Sequence, residues 1–417
     1  MNKMIREIYS QRYSKVIWIV CILIVLFYVY TGYSNVNGWQ SNQKYLFSED
    51  FVNKEFKLES EDYVKDYTED GQPIYYHSLD EYRKDQLTLY NQELTYLPKL
   101  DDYENLGFEG REIKSADSYQ PGFTYLNNIG SDNSELTLMV VVLFILGFLL
   151  FFLDQKTNFN RFLFSLAVKR KKLFSQKILF VGLPLTFTLA LSILMNVLIN
   201  YYGIPNIYLN ATLAQLLYSG FSQLILLLFV FSAGCFFGVL LGNLVFGPLA
   251  LLLGLSFAVS ADLFYTELVK LIQLFSPNSR FLYFSGLFIS YPQKSGSPWY
   301  ILLILVMASL IFIALANKIF NQISLENDGH FITVPHLQLA VFLTMFILSS
   351  IYFSISSADW LYFIASPAEK ADYANPLISC LTSTVICFIG SFLLIYFGDI
   401  HKHWIERREM RLRQKII

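Results

Sequence analysis

The sequence predicts an all-α polytopic membrane protein of about eight transmembrane helices, with a small extracellular domain between the first and second spans. Three observations lead there. Of 417 residues, 54% are hydrophobic, 17% aromatic and only 15% charged, outside the range of ordinary soluble domains. The charges are segregated: residues 178–261, 84 in all, include no Asp, Glu, Lys, Arg or His. The apolar stretches recur at lengths near the roughly 20 residues that cross a bilayer, and lipid cannot hydrogen-bond a backbone, so each must close its own N–H and C=O groups as a helix. Spans are expected at 16–33, 136–153, 178–200, 212–239, 244–261, 299–317, 337–358 and 374–398.

Residues 1–15 read as an amphipathic interfacial helix. Ile5, Ile8, Tyr9 and Tyr13 share a face, and Lys3, Arg6, Glu7 and Arg12 lie largely off it. The first span, 16–33, follows a basic lead as a signal peptide would. However, Tyr28, Tyr30 and Tyr33 stand where small residues would mark a cleavage site, so it reads as a retained anchor.

Residues 34–135 form the extracellular domain. From 34 to 134 there are 20 acids and nine bases, yet Tyr and Phe recur throughout, which disordered segments lack. One helix is legible there: Ser78 caps it, Glu81 completes a capping box, Leu79, Tyr82, Leu87, Tyr90 and Leu94 approximate one face, and Pro98 ends it.

The remaining core spans occupy 136–317. The loop 154–177 joins the second span to the third and is strongly basic. In 262–298, DLFYTELVKLIQLF, the breaker SPNSR and FLYFSGLFI read as two short outer helices dipping into the outer leaflet or, nearly as well, as an amphipathic helix lying flat on the outer surface. The fourth span holds Gly234 and Gly238, with Gly242 after them at the same interval of four, a spacing that lets helix backbones approach closely; packing within one chain is the expected use. A cytoplasmic loop follows at 318–336, two C-terminal spans at 337–398 and a basic tail at 399–417.

Lys and Arg flanking the spans set the orientation. The N-terminal segment carries four, the stretch Lys156–Lys177 seven and the tail six, whereas 201–211 has none. This places both termini in the cytoplasm and 34–135 outside.

Catalytic chemistry is not expected. The chain holds no GxxxxGK[ST], GxSxG, HExxH or CxxC sequence, and its four cysteines, Cys21, Cys235, Cys380 and Cys387, all fall inside predicted spans. No catalytic or metal-ligating residue is assigned. Asp154, Asp262, Asp359 and Asp399 sit at span ends rather than mid-membrane, so any transport would draw its energy from elsewhere.

The sharpest feature is NRFLFSLAVKRKKLFSQK, Asn160–Lys177. Phe162, Leu163 and Leu166, with Phe159 one turn earlier, share one side of a helix, and Lys169–Lys172 are four consecutive cations. Anionic lipid attracts such a segment, and so does the groove of a partner protein.

Extended to DQKTNFNRFLFSLAVKRKKLFSQK, the stretch resembles the first cytoplasmic loop of bacterial ABC type-2 exporter permeases. There an acidic residue ends the second span, a segment of the form LLSLPxxR follows, and a Lys precedes the third span. Asp154 takes the acidic position, Phe164-Ser165-Leu166 the LSL position, Arg170 the Arg and Lys177 the Lys. Ala167 replaces the usual Pro, a change that lets the helix run on. The resemblance also takes in the N-terminal helix, the Gly-rich fourth and fifth spans and the short helices near 262–290. It implies a six-helix exporter core, to which this chain adds two spans.

It further implies a transmembrane subunit in the bacterial plasma membrane, paired with cytoplasmic ABC ATPase subunits that bind ATP and Mg, so that this chain carries no cofactor. Phe159, Phe162, Leu163 and Leu166 would seat in the ATPase, with Lys169 and Arg170 at the rim. A second permease chain, identical or related, and membrane lipids are the other expected partners; nucleic acid is not one. The expected cargo is an amphipathic, lipid-like or peptide compound, as in drug or peptide resistance. The alternative is a non-transporting regulator coupling a cytoplasmic ATPase to an envelope enzyme or sensor through the extracellular domain.

Overall fold

A computed structural model describes residues 2–52, 64–67, 73–93, 124–127, 134–243, 247–249, 252, 296–323, 331–357, 378–396 and 400. Six helices in it are long and apolar enough to cross a membrane: Lys3–Leu46, Glu135–Lys156, Arg170–Gly203, Leu213–Leu240, Trp299–Gln322 and Ile378–Tyr396. Large apolar side chains are exposed along them. Trp18, Ile19, Ile22, Leu23 and Leu26 on the first and Leu303, Ile304, Met307, Leu310 and Ile311 on the fifth are all exposed. Water does not tolerate stripes of that size, whereas lipid does. The chain is a membrane-embedded helical protein.

The elements in chain order are α1 (Asn2–Leu46), β1 (Val64–Tyr67), β2 (Pro73–Tyr75), α2 (Leu79–Leu87), β3 (Tyr90–Glu93), β4 (Thr124–Asn127), α3 (Ser134–Lys156), α4 (Phe159–Ser165), α5 (Arg170–Gly203), α6 (Asn206–Leu209), α7 (Leu213–Leu240), α8 (Trp299–Gln322), α9 (Gln338–Ser357) and α10 (Ile378–Tyr396). Helices therefore stand at seven of the eight expected spans. The fifth, 244–261, lies outside the described residues except for 247–249 and 252, as do the short helices at 262–298 up to residue 295 and all of the 399–417 tail but Ile400.

The chain divides into two compact units. The first takes in the described parts of Met1–Leu138, Leu179–Leu226 and Ile272–Leu303. Here α1 corrects two expected boundaries. It runs unbroken from Asn2 to Leu46, so the interfacial helix of 1–15 and the span of 16–33 are one element, and it extends well past 33. No Gly or Pro interrupts the chain before Gly32. The amphipathic pattern is real: Ile5 and Tyr9 are buried while Lys3, Arg6, Glu7 and Arg12 are exposed.

The polar extension of α1 is held by tertiary contact. Trp39, Leu46, Phe51, Leu87, Leu89, Ile204, Leu209 and Leu216 form one buried cluster. The Trp39 indole N–H donates to the Leu87 carbonyl at 2.9 Å, and the Leu89 N–H donates to the Tyr208 carbonyl at 2.8 Å. Ser78 caps α2, accepting from the Glu81 N–H at 3.1 Å, and Glu81 reaches back to the His77 N–H at 3.0 Å. The helix does not continue to Pro98, however. It stops at Leu87, and Tyr90 belongs to β3, which pairs antiparallel with β4. The run Leu-Thr-Leu-Tyr at 87–90 favours extended backbone, and the bond to Tyr208 draws Leu89 out of the helix. Leu94 and Pro98 lie outside the described residues.

The second unit takes in the described parts of Met139–Ile178, Leu227–Leu271 and Ile304–Ile417. Its core is the contact of α3 with α7. Gly147 of α3 faces the backbone of Phe231 and Cys235, while Gly234 and Gly238 of α7 face the backbone of Phe144 and Phe148. A Cβ at any of the three would strike main-chain atoms, which cannot rotate away. The small residues are thus used within the chain. Gly242 is different: it lies beyond the end of α7, and its N–H donates to the Phe331 carbonyl at 2.8 Å. Elsewhere in this unit Phe342 and Phe346 of α9 meet Phe388 of α10 edge-on, each at 5.5 Å between ring centroids.

Candidate functional site

The basic stretch lies in the second unit, between α3 and α5. Asn158 adopts a left-handed conformation, φ 59°, after the end of α3, and this turns the chain into α4. The helix has seven residues, Phe159–Ser165, and Leu166 caps it with extended backbone, φ −71° and ψ 141°. The expectation that Ala167 would let the helix run on is therefore wrong. The chain turns tightly instead, with the Val168 N–H donating to the Leu166 carbonyl at 2.7 Å, because its next residues are held by α8.

The expected apolar face divides in two. Leu163 is 1% exposed and packs inside the chain, so it is not available to a partner. Phe162 is 49% exposed and stacks on Phe159 at 5.9 Å. Leu166 lies off the helix, half-buried. Phe164, on the other side of α4, meets Phe320 of α8 edge-on at 5.5 Å. Phe162 faces outward, with half-buried Phe159 stacked against it.

Beneath α4 the two ends of the stretch are joined. Asp154, in the last turn of α3, and Lys177, two turns into α5, form an ion pair at 2.6 Å with both side chains 1% exposed. The Lys177 ammonium also donates to the Leu150 carbonyl at 2.5 Å and lies 4.2 Å from the Phe151 ring centroid. Three donors thus meet a carboxylate, a carbonyl and a π-face, the arrangement a buried cation requires.

Arg170 holds the other side. Its guanidinium donates to the carbonyls of Ile323 at 2.6 Å and Asn321 at 3.2 Å, where α8 ends, and lies 4.3 Å from the centroid of Phe164. A cation at a helix C-terminus satisfies carbonyls that lack an intrahelical partner and complements the dipole. The neutral Gln155 amide likewise satisfies carbonyls at the end of α7, donating to Gly238 at 3.2 Å and Val239 at 3.1 Å. The segment Phe331–Val334 is buried against that helix end, with the Thr333 N–H donating to Leu240 at 3.0 Å.

The residues expected at the rim differ in role. Lys169 is exposed, whereas Arg170 is committed to α8. Sequence reasoning set Asp154 and Lys177 in separate motif positions and did not pair them; Gln155 it missed. The signal for the pair was there: an acid ending one span and a base opening the next, joined by a short loop that makes the helices antiparallel neighbours.

The four cysteines are free thiols, and among the described residues no three His, Cys, Asp or Glu side chains gather to hold a metal. The chain matches no protein-family model, no curated protein and no solved structure.

Proposed function

We propose that the chain is the transmembrane permease subunit of an ATP-driven ABC exporter, moving an amphipathic, lipid-like or peptide compound out across a bacterial cell membrane. The observation that carries this reading is the fixture of α4: a short helix with an outward-facing Phe162, fastened at both ends to spans. Asp154–Lys177 locks α3 to α5, and Arg170 locks the start of α5 to the end of α8. A push on Phe159 and Phe162 would pass to three helices together instead of being absorbed by a loose loop.

Charge supports the same reading. Lys169, Lys171 and Lys172 crowd the N-terminus of α5, the positive end of its dipole, where each cation is disfavoured by roughly 0.3–1 kcal/mol. An anionic surface outside the chain explains their position. The positive-inside bias puts this face and both termini in the cytoplasm. ATP and Mg would bind the partner ATPase, and a second permease chain would complete the path.

The test is capture of the co-expressed ATPase by the tagged chain. Phe162→Asp, on an exposed position, should abolish capture while leaving the fold intact; full capture by the variant would remove the basis for the proposal.

One observation favours a non-transporting regulator instead. The cluster around Trp39 ties the polar segment firmly to α1, α5 and α7, as a signal relay would need. Deleting residues 47–130 separates the two: a regulator loses all function, and a pump keeps substrate-stimulated ATP hydrolysis.

A further inference from the structure

A polar cavity lies within the first unit, and we propose that it binds a primary ammonium group. The inference goes beyond the permease reading and does not rest on it. The cavity measures about 60 Å³, and its polar lining is Tyr28, Thr31 and Asn35 of α1, Glu135 in the first turn of α3, Asn196 and Asn200 of α5, and Ser219 and Gln223 of α7. With roughly 30 Å³ per water in the liquid, it admits about two waters, or one ammonium with a short stem.

Hydrogen bonds occupy donors of Thr31, Asn196 and Asn200 in its wall, which the amides of Asn35 and Gln223 also line. The Asn196 amide donates to the Tyr28 carbonyl at 3.0 Å and to the Thr31 hydroxyl at 2.9 Å. The Thr31 hydroxyl donates to the same carbonyl at 3.0 Å, and the Asn200 amide donates to Asn196 Oδ1 at 3.1 Å. Unpaired acceptors remain among the lining residues. Asn200 Oδ1 and the Tyr28 hydroxyl are buried without a partner, and Tyr28 as a whole is only 6% exposed. The Glu135 carboxylate adds a negative charge, and no Lys, Arg or His lines the cavity.

Buried polar atoms are rarely left unpaired, so an orphaned amide oxygen and an orphaned hydroxyl on residues lining one cavity mark a place for a guest. An anion finds a carboxylate and no counter-charge. A neutral hydroxyl satisfies one acceptor and leaves the charge alone. A primary ammonium brings three N–H donors and a positive charge to three acceptors, one of them anionic.

The test is a calorimetric titration of the purified full-length chain in nanodiscs with methylammonium chloride. Sodium chloride and tetramethylammonium chloride at equal ionic strength are the controls. The wild type should give saturable heat with methylammonium and none with tetramethylammonium, which has no N–H, or with sodium. Tyr28→Phe and Glu135→Gln should each weaken binding about tenfold or more, as expected for hydrogen bonds to a charged group. In phosphatidylglycerol discs with and without phosphatidylethanolamine, the titration also identifies the source: a lipid headgroup competes with the probe, and a free amine leaves it unaffected. Absence of saturable heat, an equal response to sodium, or wild-type binding by both variants overturns the proposal. Should Glu135→Gln misfold, Tyr28→Phe decides alone, since it removes one oxygen and keeps the ring.

Discussion

Replacing Lys177 by Met keeps an unbranched side chain one atom shorter and removes its charge, leaving the Asp154 carboxylate in a site where it is 1% exposed. Two unit charges 2.6 Å apart attract by roughly 6 kcal/mol at an effective dielectric of about 20. Desolvation of both groups offsets most of that, so the intact pair contributes little net stability. Breaking it is another matter, because one buried charge stays behind uncompensated, at a cost of about 3–5 kcal/mol. At roughly 2 °C per kcal/mol for a large domain, the variant should melt about 6–10 °C below wild type in the same detergent, read by intrinsic fluorescence. Asp154→Leu added to Lys177→Met removes the stranded charge and should recover most of the loss. The reasoning fails if Lys177→Met melts with the wild type, or if the double variant is less stable than the single by the full cost of a second substitution.

Three further outcomes follow from contacts elsewhere. Gly238→Val drives a branched side chain into the Phe148 backbone and should separate α7 from α3, with a loss of more than about 3 kcal/mol; Gly390→Ala, at a site with open space around it, should be neutral or gain about 0.5–1 kcal/mol. Trp39→Phe leaves the Leu87 carbonyl without its donor, at about 1–3 kcal/mol, and should speed proteolysis within 34–135 by roughly five- to hundredfold while the spans stay protected. A melting point unmoved by Gly238→Val, or a digestion rate unmoved by Trp39→Phe, would contradict the packing described.

The membrane spans were legible because lipid leaves the backbone one solution, and an apolar run of the right length is enough to announce it. Even the interval of Gly234 and Gly238 announced a close helix crossing, although not that α3 was the neighbour. Boundaries were harder where tertiary contact overrides local preference. Residues 34–46 carry polar side chains and read as the start of a separate domain; they are helical because Trp39 and Leu46 are buried against residues more than 150 positions away, such as Ile204 and Leu209. The start of α2 was written in Ser78 and Glu81, but its end was set by a hydrogen bond to Tyr208. In the basic stretch, helical spacing correctly gathered Phe159 and Phe162. It also gathered Leu163, which the chain itself buries, and ran on through Leu166, which Arg170 and Phe164 help to hold off the helix by their grip on α8.

The account turns on α4 meeting a partner through its outward-facing Phe162. A photo-crosslinking amino acid placed singly at position 162 or 163, with the ATPase co-expressed, tests that contact directly. Position 162 should yield an adduct with the ATPase subunit, and position 163, buried one residue along, should yield none. Adducts to lipid alone at 162, or equal ATPase adducts from both positions, would contradict it.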